Sequence, residues 1–261
     1  MIHAFKRGKI ASLVVLVIAA AVAVLIWIRD RNYPVFVPVI ASALTLALGV
    51  VAARLAGNIF ANSENTHYLG FLHMELDPRK FIRHYQDVPG RVRGENAAAI
   101  CRSYLADGYA ADGQYEEAIA LLKIAPPADN DAVRGLYAAN LAGCCLAQGR
   151  TEQAAAESLA QLREIIDDCP RNKADLARNL TEMLNLHTWH LDCLEGRAVD
   201  LEALEYAFDR AQYHLRRLEI AKVAVLAATR AGDDAARKKH LSYLRKNGGM
   251  TAYKRWADKQ K

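Results

Sequence analysis

Two long apolar runs follow one another near the start of this 261-residue chain. Residues 10–28 and residues 35–53 each span 19 positions without a charged side chain. At a helical rise of about 1.5 Å per residue, a run of that length matches the hydrocarbon core of a bilayer, which is about 30 Å thick. Only six residues separate the two runs. The sequence therefore predicts a transmembrane helical hairpin within residues 1–54.

The first run alone would also fit a cleaved signal peptide, because basic residues precede it and small residues occur inside it. It is longer than a signal peptide needs, and a second apolar run follows at once. Two spans are therefore favoured. By the positive-inside rule, the basic residues predict an inner-membrane protein with both termini in the cytoplasm. These residues are Lys6, Arg7 and Lys9 before the spans and Arg54 after them, against Arg29 and Arg31 between them.

A ridge of small residues runs along the second span at a spacing of four. It consists of Ala41, Thr45, Gly49 and Ala53. Small side chains let helix backbones approach closely in a membrane. We expect the ridge to pack on the first span, and self-association through the same residues is the alternative.

Charge and cysteine content restrict the class of the remaining chain. After residue 54 there are 28 basic and 28 acidic side chains, so this part has no excess of positive charge. A nucleic-acid-binding domain is expected to be basic, and that class is therefore disfavoured. The five cysteines are odd in number and form no CxxC pair, which favours free thiols in a reducing compartment.

The rest of the chain is predicted to be all-α. Residues 55–94 form a connector in which Asp77 and Pro78 begin one short helix, and residues 248–261 form a basic tail. Glycines punctuate the region between them, and two intervals between these glycines are both 36 residues long, which indicates a helical repeat over residues 95–247. The predicted helices are 96–111, 114–124, 131–147, 151–168, 172–194, 200–213, 215–231 and 234–247, with a break near Tyr213.

The segment around Gly113 resembles a tetratricopeptide repeat. That family places a small residue and an aromatic in one helix, a glycine at the turn, and Y-x-x-A-I in the next helix. The matching residues here are Ala106, Tyr109, Gly113, Tyr115, Ala118 and Ile119. A second unit matches less well at Ala142, Gly149 and Ala154. The resemblance implies a helical solenoid whose concave groove binds a protein or peptide, and a generic helical bundle is the alternative.

The resemblance also points to groove residues. Some members hold a carboxylate with a Lys and an Asn on the first helix and an Asn on the next. The corresponding residues here are Ser103, Asp107 and Asn140, so only the last matches and a carboxylate clamp is excluded. Asp107 would suit a basic or polar ligand, or it would belong to a solvated helix surface.

Catalytic and metal-binding patterns are weak. His187, His190 and Cys193 recur every three residues on one predicted helix, where they could meet a zinc ion or could serve only packing. The sequence lacks HExxH and the common nucleotide-binding and nucleophile motifs. We therefore expect no enzyme, no cofactor and no resident metal, and the histidine cluster stays as the alternative.

The basic tail carries two aromatics three residues apart. Tyr253 and Trp256, with Lys254 and Arg255 between them, could form a short helix that touches the membrane surface. The two aromatics could equally dock on the last helical pair.

These features together predict a membrane-anchored scaffold or adaptor that binds a protein or peptide in a helical groove. The alternatives are a metal-binding or catalytic helical domain and an oligomerising membrane protein with a structural repeat domain.

Overall fold

The computed structural model describes residues 4–260, and within that range every regular element is a helix. The prediction of an all-α chain is therefore confirmed. In chain order the helices are α1 (Lys6–Arg29), α2 (Phe36–His73), α3 (Pro78–Tyr85), α4 (Val88–Arg91), α5 (Glu95–Ala111), α6 (Tyr115–Leu122), α7 (Asp131–Ala147), α8 (Thr151–Gln153), α9 (Ala160–Asp167), α10 (Ala174–Glu195), α11 (Leu201–Arg210), α12 (His214–Ala231), α13 (Asp234–Asn247) and α14 (Ala252–Asp258). A π-helical stretch, Ala154–Leu159, joins α8 to α9.

Helices α1 and α2 form an antiparallel hairpin held by small residues. A Cβ added to Gly49 would lie 2.3 Å from the Cβ of Ala19, and one added to Gly8 would lie 2.7 Å from the carbonyl oxygen of Gly57. Ala53 is also buried. The small-residue ridge therefore faces α1, and self-association through it would have to displace that helix.

Both hairpin helices are long and apolar enough to cross a membrane. Their large apolar side chains point outward, from Ile10 to Ile28 on α1 and from Phe36 to Phe60 on α2. A helix in the core of a soluble protein would bury such side chains, whereas a membrane leaves them facing lipid.

Helix α2 does not end where the second apolar run ends. It continues to His73 without a break, so the polar segment that the sequence assigned to a connector is helical. Two polar residues in it are buried and hydrogen-bonded: Glu64 accepts the backbone N–H of Arg7 at 2.8 Å, and Asn65 accepts the Tyr85 hydroxyl at 2.7 Å. With 38 residues, α2 is about 57 Å long and extends well beyond a bilayer core.

The predicted helices of residues 95–247 agree closely with α5 to α13. The break predicted near Tyr213 is confirmed, because α11 ends at Arg210 and α12 begins at His214. Helix α5 packs on α6, α7 packs on the α8–α9 segment, and α12 packs on α11 and α13.

Four of these helices also pack on one another in the order α5, α7, α10, α12. Helix α14 contacts both α12 and α5, and the end of α2 contacts the same two helices. The described domain therefore closes around a central space.

The C-terminal helix α14 helps to close the domain around the central space. The Arg255 guanidinium donates to the backbone oxygen of Asp112 at 2.6 Å, across 143 residues of chain. Tyr253 and Trp256 are half-buried against the core of α12 and α13, Lys254 is half-buried, and Arg255 is exposed. A membrane contact through the two aromatics would require α14 to leave this position.

Candidate binding chamber

The space enclosed by the helices is a chamber of about 670 Å³. That volume lies within the range of about 300–1,000 Å³ that is usual for ligand pockets. Its walls are mainly apolar and come from α5, α7, α10 and α12, with the end of α2 and one residue each from α6 and α14.

Helical periodicity decides which side chains reach the chamber. On α10 the lining positions include Glu182, Leu186 and His190, and on α12 they include Leu215, Glu219 and Lys222. Residues three or four apart lie on one face of a helix, so each wall helix presents a single stripe to the chamber.

Asp107 lies on the α5 wall and has no hydrogen-bond or salt-bridge partner among residues 4–260. Burial raises the pKa of its carboxyl well above the usual value, and the negative charge of Glu219 raises it further. Arg216 acts in the opposite direction but does not bond to it. Asp107 is therefore a half-buried acid to which no cation of the described chain is bonded.

The two other groove residues predicted from the sequence lie beside it. Ser103 is fully buried on α5, and its hydroxyl accepts the side-chain N–H of Asn140 at 3.0 Å. Asn140 lines the chamber, and its Oδ1 has no partner within the described residues. The structure thus brings Asp107 and Asn140 into one chamber and places Ser103 behind them.

The α12 wall contributes the charged groups of Arg216, Glu219 and Lys222. The Arg216 guanidinium donates to Glu219 at 2.9 Å and to the backbone oxygen of Glu182 at 3.2 Å. Glu219 also accepts the Tyr253 hydroxyl at 3.3 Å. The Lys222 ammonium lies 5.8 Å from the centre of the Trp256 ring.

Two histidines of α10 face the chamber in the neutral form. His187 and His190 are each 8% exposed and make no hydrogen bond within residues 4–260. Burial, together with the nearby cations Arg216 and Lys222, lowers both pKa values to about 3. The His187 ring fits because its neighbour on α7 is Gly143, where an added Cβ would lie 3.0 Å from the imidazole Cε1.

Within residues 4–260, His187, His190 and Cys193 do not form a group that could hold a metal ion. The Cys193 thiol packs in a different cluster and lies 3.9 Å from the backbone oxygen of Val223. Within the described range, no three His, Cys, Asp or Glu side chains are close enough together to hold a metal ion. His187 and His190 therefore belong to the chamber and not to a His-His-Cys set.

Four tyrosines line the chamber: Tyr104, Tyr115, Tyr213 and Tyr253. Tyr213 is 56% exposed and its ring lies 5.4 Å from that of His73, so it marks the open side of the chamber. Burial raises the pKa of Tyr104, and the charge of nearby Asp107 raises it further.

Sequence reasoning missed the charged stripe of α12, which consists of Arg216, Glu219 and Lys222. The signal was present, because these residues recur at three-residue intervals just before the apolar run of residues 223–228. A charged stripe on an amphipathic helix usually faces solvent, however, so this spacing does not by itself indicate a cavity.

Comparison with known proteins gives no further assignment, because no family model, no curated protein and no solved structure matches the chain.

Proposed function

We propose that this chain is a membrane-anchored adaptor whose helical domain binds a short segment of a partner protein in the chamber. The hairpin holds the domain at the inner membrane, with both termini in the cytoplasm, and the chamber selects the partner. The observation that carries this proposal is the chamber itself, a ligand-sized space with polar groups that lack protein partners.

The position of the chamber supports a role close to the membrane. The last large exposed apolar residue of α2 is Phe60, and the chamber wall contributed by α2 runs from Thr66 to His73. At about 1.5 Å per residue, the wall begins roughly 9 Å beyond the apolar band. A partner segment near the bilayer surface would meet the chamber at a raised effective concentration.

The packing of the repeat-like motif supports a binding domain. Ala106, Ala118 and Ile119 are buried in one cluster, and Tyr109 and Tyr115 pack against it at the crossing of α5 and α6. This is the arrangement that the resemblance to tetratricopeptide repeats implies, with small residues at the crossing and aromatics beside them.

The cysteines support a cytoplasmic location of the domain. All five are free, and only Cys169 is not buried. Free buried thiols are typical of proteins from reducing compartments.

Affinity capture from native membranes tests the proposal. The full-length protein is compared with an Asp107→Asn/Asn140→Ala variant, and Asp209→Asn serves as the control because Asp209 is exposed on α11. We expect the captured partner to be depleted at least tenfold by the double variant and unchanged by the control. The same proteins captured in the same amounts by all three forms would contradict the proposal.

A further inference from the structure

The carboxyl group of Asp107, which has no cation of the described chain bonded to it, indicates the charge of the ligand that the chamber can bind. Of the two cations of the α12 wall, Arg216 is bonded to Glu219, whereas the Lys222 ammonium lies 5.8 Å from the centre of the Trp256 ring and makes no hydrogen bond or salt bridge within residues 4–260. An anionic ligand would have to compete with Glu219 for Arg216. A cationic ligand would meet a free carboxyl.

The chamber also offers hydrogen-bond acceptors that have no partner within the described residues. Asn140 uses its N–H₂ on Ser103, which leaves its Oδ1 free. His187 and His190 are more than nine-tenths buried and carry no positive charge, and each has one ring nitrogen that can accept a hydrogen bond beside one N–H that can donate. An ammonium group has three donors and no acceptor, and it therefore suits a lining that offers acceptors.

Aromatic rings line the approach to Asp107. Tyr104 and Tyr213 line the chamber together with Asp107, and Tyr213 is 56% exposed. Tyr115 also contributes to the lining. Tyrosine faces attract cations, and rings around an acid are a recurrent arrangement for binding ammonium groups.

From this juxtaposition we propose that the chamber recognises a protonated primary amine on a flexible apolar stem, as presented by a lysine side chain of the partner. Asp107 receives the ammonium, the tyrosines enclose its stem, and Asn140 accepts one further hydrogen bond. The lysine assignment deepens the proposed adaptor function and rests on it.

The test uses n-butylamine, which is the lysine side chain as a free molecule, and 1-butanol, which has the same stem without the charge. Binding to the full-length protein in detergent is measured by calorimetry at pH 8, where a primary amine stays protonated. We expect the amine to bind at least tenfold more tightly than the alcohol. Asp107→Asn should remove that preference, and Asp209→Asn should leave it intact.

A second experiment tests whether the amine that binds is a lysine side chain of a peptide. A pentapeptide with a central lysine in glycines is compared with the same peptide carrying Nε-acetyl-lysine. Tighter binding of the lysine peptide supports the proposal, whereas butylamine binding without any lysine-peptide binding would overturn the lysine assignment. If Asp107→Asn does not fold, the amine and the alcohol are compared on the wild-type protein alone, and equal affinities would overturn the amine assignment.

The two proposals fail in distinguishable ways. Partner capture that depends on the chamber, combined with no preference for amines, would remove the inference and leave the adaptor function. Amine binding without any captured partner would remove the adaptor function and leave an amine site.

Discussion

The chamber holds His187 and His190 in the neutral form, and this state makes the stability of the protein depend on pH. In the unfolded chain each imidazole takes up a proton as the pH falls below about 6.5. In the folded chain burial and the cations Arg216 and Lys222 lower both pKa values to about 3. The unfolded state therefore binds more protons between these limits, and stability that is fully present above pH 6.5 is lost as the pH falls.

The size of the loss follows from linkage. Between pH 7.5 and pH 5, a histidine with these two pKa values lowers the free energy of unfolding by about 2 kcal/mol, so the pair lowers it by about 4 kcal/mol. Near pH 5 the corresponding slope is about 2.7 kcal/mol per pH unit for the pair. These figures hardly depend on the folded pKa as long as it stays below about 4.

The perturbation is the His187→Gln/His190→Gln double variant, which keeps polar side chains but cannot titrate. Urea unfolding of the full-length protein in detergent is followed by tryptophan fluorescence at pH 7.5, 6 and 5. We expect the advantage of the wild type over the variant to shrink by about 4 kcal/mol from the highest to the lowest pH. Each single variant should show half of that effect.

A difference between wild type and double variant that stays constant within about 1 kcal/mol across this range would contradict the buried, neutral state of the two histidines. It would mean that the imidazoles are already solvated well enough to titrate normally in the folded protein. The chamber would then be a wet cleft and not a buried site.

Two further predictions concern the packing of the hairpin and the closure of the domain. Gly49→Leu should separate the hairpin, because even a Cβ at that position would lie 2.3 Å from Ala19; we expect about 1–3 kcal/mol of destabilisation by thermal unfolding in detergent, and little from Ala47→Leu on the exposed side. Arg255→Ala removes the bond to Asp112 that closes the domain and should cost about 1–3 kcal/mol in urea unfolding. Arg255→Lys keeps the charge but not the fork of donors, so full stability in that variant would show that the guanidinium geometry is unimportant.

Most helices of the domain could be predicted from the sequence, because their apolar periodicity and their glycine turns are local signals. The break before His214 followed instead from the pairing of helices expected in a repeat, because residues 200–231 contain no Gly or Pro. The continuation of α2 through Glu64 and Asn65 was not predicted, since these polar residues resemble a loop. Their partners, Arg7 and Tyr85, lie 57 and 20 residues away, and only the folded chain shows that the polar groups are satisfied.

The chamber was predictable in part. Asp107 and Asn140 emerged from the resemblance to a repeat family, because they occupy comparable positions on successive helices. The roles of Glu219 and Lys222 depend on Tyr253 and Trp256 of α14, which are 34 residues further along in each case. Such closure of the chain on itself leaves no periodic signal in the sequence.

The central claim is that the partner occupies the chamber, and site-specific photo-crosslinking in native membranes tests it most directly. A photo-reactive amino acid is placed at Tyr104 inside the chamber and, as the control, at Glu117, which is exposed on α6. We expect a discrete crosslinked partner from the chamber position, lost on adding Asp107→Asn, and none from α6. A partner crosslinked only at Glu117, or none at Tyr104 in intact membranes, would contradict the central claim.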